Sequence, residues 1–393
     1  MTSHPRDLAP HDLDALAGWR RALHRLPEIS GEEADTAAAV AAMLSAAAPD
    51  RIWQGLGGHG VAAAWNGAAP GPALLIRAEL DALPIAEESG APHASERAGR
   101  AHLCGHDGHM AILAGLARRL SRRRPARGRV ILLFQPAEET GEGAAAVLAD
   151  PRFPELAPDM GVALHNLPGL PRGKAIVAPG PACSASRGMR ISLQGREAHA
   201  SSPETGLSPA PALARLVEEL PALSAGAGPA DPGFRLVTLT HARMGAPAFG
   251  VAPGRAELFA TLRTPQDDAM EGLVADAVAR AEAAARSHGL ALEIGWQDVF
   301  AACVNAQEPA EALARAAGRA GLDVSAEGLP MRFSEDFGRF GRAAPAALLL
   351  LGAGTDHPPL HDPRYDFPDA LIADGVALFS ALIDEALENG HGG

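Results

Sequence analysis

Four short, continuous apolar runs in the first half of this sequence, residues 61–65, 73–77, 130–134 and 162–164, constrain its fold most. Unbroken apolar runs of this length, with helical stretches between some of them, are what strands buried on both faces require. Polar residues follow three of the runs: Glu79 and Asp81 after one, Gln135, Glu138 and Glu139 after another, His165 after a third. Ligands of open α/β sheets bind in the crevice at the carboxyl ends of the strands. The chemistry is therefore expected there, on a mixed, largely parallel sheet.

Between these runs lies His102-Leu103-Cys104-Gly105-His106-Asp107-Gly108-His109-Met110. A thiolate and an imidazole two residues apart suit a borderline-soft divalent ion such as zinc, and the glycines let the backbone bring side chains to one point. A reduced cysteine in a polar turn is the plain alternative. The same choice recurs elsewhere. Glu138-Glu139 reads as a solvated loop or as one metal-binding and one proton-accepting carboxylate. His165 reads as a core histidine or a ligand, and His361, in Leu360-His361-Asp362-Pro363, as a loop residue or a ligand. Four such coincidences in one chain favour the ligand reading.

The chain has 393 residues, more than one hydrophobic core usually supports, so two domains are expected. With 47% hydrophobic and 21% charged residues it is expected to be globular throughout. A formal charge of -13 argues against a nucleic-acid partner, because no basic face is available to replace phosphate counterions. The one basic run, residues 118–127, reads as solvating a helix end. Cys104, Cys183 and Cys303 are too few for a disulfide framework, which favours a reducing compartment. Residues 1–14 lack an apolar signal core, and no apolar run is long enough to span a bilayer. A cytoplasmic protein without membrane contact is the expectation.

Leu13, Leu16, Leu23 and Leu26 recur at helical spacing before Pro27, and Ser30-Gly31-Glu32-Glu33 has the form of a capping box opening a helix to about Ala48. From about Ser186 to Asp298 the pattern changes: residues 189–193, 256–262 and 290–296 alternate strictly, as strands with one wet face do. With helices near 209–220 and 267–287 and a strand near 236–241, the order reads β-α-β-β-α-β, a ferredoxin-like arrangement. This segment, 186–298, is read as an insertion into a discontinuous domain of residues 1–185 and 299–393. A helix at 309–320, a buried strand at 346–351 and a closing helix at 369–387 complete that domain.

The chain resembles the dinuclear metal amidohydrolases that include hippurate hydrolase, N-acyl-amino-acid amidohydrolases and the hydrolases of indole-3-acetyl amino acid conjugates. The resemblance is carried by Leu23-His24-Arg25-Leu26-Pro27-Glu28, Arg77-Ala78-Glu79-Leu80-Asp81-Ala82-Leu83-Pro84, Cys104-Gly105-His106-Asp107-Gly108-His109, Phe134-Gln135-Pro136-Ala137-Glu138-Glu139, Leu164-His165, Ser334-Glu335-Asp336-Phe337 and Leu360-His361-Asp362-Pro363. It implies a zinc-peptidase-like catalytic domain and an inserted lid that also forms a homodimer interface. It further implies two divalent ions, zinc or manganese, cobalt or nickel, held by Cys104, His106, Glu139, His165 and His361. Glu138 would be the general base for hydrolysis of a small N-acyl amino acid. Asp81 would orient a ligand imidazole such as His106. In the lid, His199 would reach the substrate or its oxyanion, and Arg263 would bind a substrate carboxylate.

Three positions depart from the family's pattern: Glu79 stands where aspartate is usual, Glu204 where a second lid histidine is usual, and Gly250 where asparagine is usual. The expected metal ligands are all present, so the changes fall mostly on the substrate side and point to a small or neutral substrate. A carboxypeptidase or dipeptidase with the same metals is the alternative activity. A binding protein without turnover is a third reading, which an intact Glu138 opposes. A closed structural zinc site needs only four ligands and no base.

Overall fold

The computed structural model describes residues 8–387, which fall into two compact units, one of 8–182, 304–328 and 336–387 and one of 183–303 and 329–335. Among the described residues, the first unit is built on an eight-stranded mixed sheet. Its order is Arg51–Leu56, Gly60–Asn66, Arg127–Gln135, Ala69–Glu79, Met160–Pro168, Ala346–Gly354, Lys174–Ile176, Asp323–Ser325. The central four strands, Arg127–Gln135 to Ala346–Gly354, are parallel neighbours, and the apolar runs of the sequence lie within strands of this sheet. Register aligns Glu79 with Gln135 and Leu350 with His165, which brings polar strand ends to one edge of the sheet.

The helix His106–Arg122 runs beside this sheet and is buried along almost its whole length. It packs between the helices Pro10–Arg25 and Ala370–Leu387 and the strand Ala69–Glu79, which explains why it lacks the polar stripe of a surface helix. Its basic end differs from the expectation. Arg119 is buried and paired with Asp384, Arg122 grips both oxygens of Asp12 at 2.7 and 2.8 Å, and Arg124 bonds Asp50 at 2.8 Å. Arg119 is thus buried where solvation was expected, while Arg122 and Arg124 stay exposed and pair with acids of adjacent elements.

Two further local readings are corrected. The strand Arg51–Leu56 was not foreseen, although its signal, Gly57-Gly58 between two apolar stretches, marks a hairpin; both glycines adopt positive φ. Ser30 does not cap the second helix, which spans Ala34–Ala46 with Glu33 at its N-cap and no side-chain cap. Its hydroxyl instead donates to Asp81 Oδ2 at 2.7 Å, while Glu33 Oε1 accepts the amides of Gly31 and Ala137. Tertiary acceptors outcompete the local cap.

A buried polar cluster lies behind the first turn of the His106–Arg122 helix. His24 bonds Asp107 through Nδ1 at 2.8 Å and faces Glu87 through Nε2 at 3.3 Å. Arg20 reaches Asp107 and Asp366, His93 bonds Asp366, and the His102 ring lies tilted beside the His24 ring at 6.2 Å. Burial opposes charge on His24, but Asp107 and Glu87 outweigh it and raise its pKa to about 9. A folded-state value above the ordinary ~6.5 means that the charged His24 stabilises the fold fully below about pH 6.5, and that this contribution is lost as pH rises through about 9. The gap corresponds to roughly 3 kcal/mol. The melting temperature of the wild type should therefore fall more steeply between pH 6.5 and 9.5 than that of His24→Gln; parallel curves would mean that His24 is neutral throughout.

The second unit holds a four-stranded antiparallel sheet in the order Leu236–Met244, Arg255–Thr264, Ala185–Gln194, Ala291–Phe300. With the helices Ala210–Glu219 and Asp267–Ser287 its chain order is β-α-β-β-α-β, and alternate strand residues such as Met189, Ile191, Leu193, Leu258, Ala260 and Leu262 form its core with Leu216, Leu273 and Ala277. Leu329–Glu335 joins this unit, a segment the alternation pattern does not include. It does so through Ser184, which donates from N and Oγ to Met331 O at 3.1 and 2.8 Å.

Candidate metal centre

Each chemistry-bearing side chain of the first unit is held by an identifiable local device. Gly105 precedes the helix His106–Arg122 with φ +95, and a Cβ there would lie 2.2 Å from Asn166 Oδ1, so the Cys104–His106 turn closes only around glycine. At Gly108 a Cβ would lie 2.3 Å from the buried Phe367 ring. Gly108→Ala should cost about 1–3 kcal/mol by overpacking, read as a lower urea midpoint; an unchanged midpoint would mean that the ring shifts freely. After the strand Arg127–Gln135, Ala137 takes φ +50 and makes the bend that lets the adjacent Glu138 and Glu139 point differently. His361 sits at φ +67, an unfavourable conformation for a side-chain-bearing residue, with its amide donating to Leu103 O at 2.9 Å.

These devices bring seven of the nine residues singled out in the sequence together. Donor atoms of Cys104, His106 and His165 lie within 4.8 Å of one another, as do those of Cys104, Glu139 and His361. The two triads share the Cys104 sulfur and between them contain all five expected ligands. Glu138 stands alongside, with Oε2 3.9 Å from His106 Nε2 and Oε1 accepting the Asp336 amide at 3.3 Å. Glu139 Oε2 is 3.6 Å from His361 Nε2. The remaining two, His199 and Arg263, belong to the second unit. His199 Nδ1 accepts the Ser201 amide at 3.1 Å, and Arg263 Nη1 bonds Arg332 O at 3.1 Å and Ser334 Oγ at 2.9 Å.

The electrostatics suit cation binding. His106 and His165 each donate from Nδ1 to a main-chain carbonyl, Asp81 O at 2.8 Å and Asn166 O at 2.9 Å, which turns Nε2 of His165 toward Cys104 Sγ at 3.4 Å. Burial pushes the His165 pKa down to about 3, leaving a neutral imidazole. Burial opposes charge on His106 too, but Asp81, Glu79 and Glu139 prevail and raise it to about 10. Burial, with Glu139, Glu138 and Glu79 nearby, pushes the Cys104 thiol well up. A surplus of negative charge around a thiol and imidazoles is relieved by a divalent ion, which removes the proton from a coordinating thiol outright. His106 Nε2 and Asp81 Oδ1 are buried without a hydrogen-bond partner, as expected of groups arranged for an ion or its surroundings. A soft thiol, three imidazoles and a carboxylate fit two such ions.

The expectation for Asp81 is refined. Its main-chain carbonyl, not its carboxylate, takes the His106 Nδ1 proton; Oδ1 lies 3.6 Å from that nitrogen, and Oδ2 accepts Ser30 Oγ and the Glu139 amide. The carboxylate thus fixes the Glu139 segment as well as the field around His106. Residues to which the sequence reading gave no catalytic or ligand role also converge here: Arg77, Glu79, His109, Asn166, Asp336 and Tyr365 form a buried polar network beside the triads. Arg77, His109 and Asp336 stand inside the motifs that carry the resemblance, which was their only signal, and Glu79 stands out further at a strand end.

Residues 75–385 match the peptidase family M20/M25/M40. The chain is 30% identical over 359 residues to the N-acetyl-L-cysteine deacetylase of Bacillus subtilis, covering 91% of this chain and 84% of that protein. It is also 30% identical over 350 residues to the N-acetyldiaminopimelate deacetylase of the same organism, covering 88% and 91%. Among solved structures, the Bacillus subtilis YxeP protein, described as a dinuclear metal-binding peptidase of the M20 family, superposes with a TM-score of 0.79 at 27% identity, over 97% of this chain and 100% of that one. With a family match over most of its length and relatives at this identity, the chain belongs to the peptidase family M20/M25/M40 and is a hydrolase of amide bonds.

Proposed function

We propose that this hydrolase cleaves small N-acyl amino acids to a carboxylic acid and a free amino acid, using two divalent ions. The observation that supports it most is the pair of donor triads sharing Cys104, with Glu138 beside them. In this reading Cys104, His106 and His165 hold one ion and Cys104, Glu139 and His361 the other. Zinc is the first choice for these donors, with manganese, cobalt or nickel as substitutes. When bound, the ions supply Lewis acidity and make water a better acid. Glu138 accepts the proton of the attacking water and returns it to the leaving amine. Asp81 holds the Glu139 segment and the field around His106.

His199 serves as the donor to the oxyanion. Its Nδ1 accepts the Ser201 amide, so in the neutral ring the proton sits on Nε2. Arg263 receives the carboxylate of the amino acid part. The exposed Glu204 and Gly250 replace a histidine and an asparagine usual in the family, and an acid at Glu204 opposes a second carboxylate on the substrate. The substrate is accordingly small or neutral, and an acyl group such as the acetyl in the names of the relatives suits it. A dipeptidase activity is the second reading, because the YxeP protein is described as a peptidase. We read the protein as a homodimer formed through the inserted 186–298 lid, whose Phe249, Val251 and Met244 are exposed. The thiol content suits the cytoplasm, and among the described residues no helix is long and apolar enough to cross a membrane.

A panel of N-acetyl, N-benzoyl and indole-acetyl amino acids with simple dipeptides, assayed for released amino acid on metal-loaded enzyme, tests the reading. Turnover of neutral N-acetyl amino acids above dipeptides is expected. Preference for dipeptides would install the peptidase reading, and no turnover with metal bound would favour a binding protein.

A further inference from the structure

Arg77 is fully buried in the strand Ala69–Glu79, the second-last position before its polar end. Desolvating a guanidinium is costly unless its donors are engaged, and this one is held by partners on three segments. Nε donates to Gln135 Oε1 at 2.9 Å, Nη1 pairs with Glu79, and Nη2 donates to Asp336 Oδ1 at 2.8 Å. Its face lies 5.7 Å from the Phe337 ring.

Two arms lead outward from it. Along the first, the Asp336 carboxylate is also bound by Gln135 Nε2 at 2.9 Å and by the Ala144 amide at 2.8 Å, and the Asp336 amide donates to Glu138 Oε1 at 3.3 Å. Along the second, Glu79 Oε2 bonds His109 Nδ1 at 2.6 Å, and His109 Nε2 bonds Asn166 Oδ1 at 2.7 Å. The Asn166 carbonyl accepts His165 Nδ1, and the His109 ring meets the His165 ring edge-on at 4.9 Å. Glu79, one methylene longer than the aspartate usual in the family, spans the gap between Arg77 and His109.

We propose that Arg77 is a positioning residue that orients the proton-accepting carboxylate and a metal-binding imidazole from one guanidinium, through Asp336 to Glu138 and through Glu79, His109 and Asn166 to His165. This rests on the reading of Glu138 as general base and His165 as ligand. Lysine cannot replace the fork, because a single ammonium cannot present donors in those fixed directions. Groups that orient ligands in this way typically carry about 10–100-fold in metal affinity or activity.

The test uses metal-loaded Arg77→Lys, Asp336→Asn and Glu79→Gln, reading kcat and KM separately, zinc affinity by competition with a chromophoric chelator, and melting temperature. Asp336→Asn should lower kcat about tenfold or more with KM and zinc affinity within about twofold, and Glu79→Gln should weaken zinc about tenfold or more. Arg77→Lys should do both, and adding Asp336→Asn to it should cost no further kcat, because the two changes break one chain. If folded Asp336→Asn and Glu79→Gln both retain kcat and zinc affinity within about twofold, the proposal is overturned; so it is if the double variant loses the product of the single losses. Should Arg77→Lys fail to fold, the two outer variants still decide. A wild type that binds zinc without turning over any N-acyl amino acid would sink the functional reading instead, while the chelator arm would continue to test the link from Glu79 to His165.

Discussion

Glu138→Gln lowers kcat at least about a hundredfold, with KM and metal content unchanged, because a positioned general base contributes roughly 10²–10⁴-fold. Glutamine keeps the shape and can still accept the Asp336 amide that Glu138 Oε1 accepts now at 3.3 Å, so the fold and the bend at Ala137 remain. What it loses is the capacity to take a proton. Glu138 lies 3.9 Å from His106 Nε2 yet outside both triads that contain Cys104, and the adjacent Glu139 cannot replace it, since its carboxylate belongs to the triad with Cys104 and His361. Single-turnover kinetics on a substrate that the wild type accepts provide the measurement. A loss of less than about tenfold would assign the base role elsewhere.

Cys104→Ala weakens both metal positions at once and lowers activity with them. The sulfur is common to the triad with His106 and His165 and the triad with Glu139 and His361, so its loss leaves those two with one pair of imidazoles and one imidazole with a carboxylate, each below the three protein ligands typical of a catalytic site, while His106, Glu138 and Glu139 stay grouped without it. Metal analysis after dialysis should fall from two ions per chain to one or none, and the stabilisation that metal gives the fold should fall too. That stabilisation reaches about 2.7 kcal/mol when free metal is a hundred times its dissociation constant, so the variant's melting temperature should respond less to added zinc than that of the wild type. Serine at this position would keep a harder, weaker donor and give an intermediate result. Retention of two tightly held ions by Cys104→Ala would show that the thiol is not a shared ligand.

Both effects fall on residues that stand out in the sequence, and the reason is chemical. A thiol, imidazoles and paired acids next to buried strands have few structural uses, so Cys104, His106, Glu138, Glu139 and His165 are conspicuous before any folding is considered. Period-2 alternation likewise marks strands such as Arg255–Thr264, and period-3.6 spacing marks helices such as Asp267–Ser287, because each is a local consequence of backbone geometry.

Tertiary structure decided what local geometry does not contain. Ser30 has the spacing of a helix cap, yet its hydroxyl went to Asp81, fifty-one residues away. The arginines of residues 118–127 look solvated, yet Arg119 is buried against Asp384. The orientation of His106 is set by the main-chain carbonyl of Asp81, which no residue type announces. Most of all, the network of Arg77, Glu79, His109, Asn166 and Asp336 draws its meaning from partners up to 259 positions apart. Residue types and spacing determined which groups can do the chemistry, since reactivity and periodicity are local. Which acceptor each buried donor finds was decided only when distant strands met, because a desolvated polar group takes whatever partner the packed fold presents.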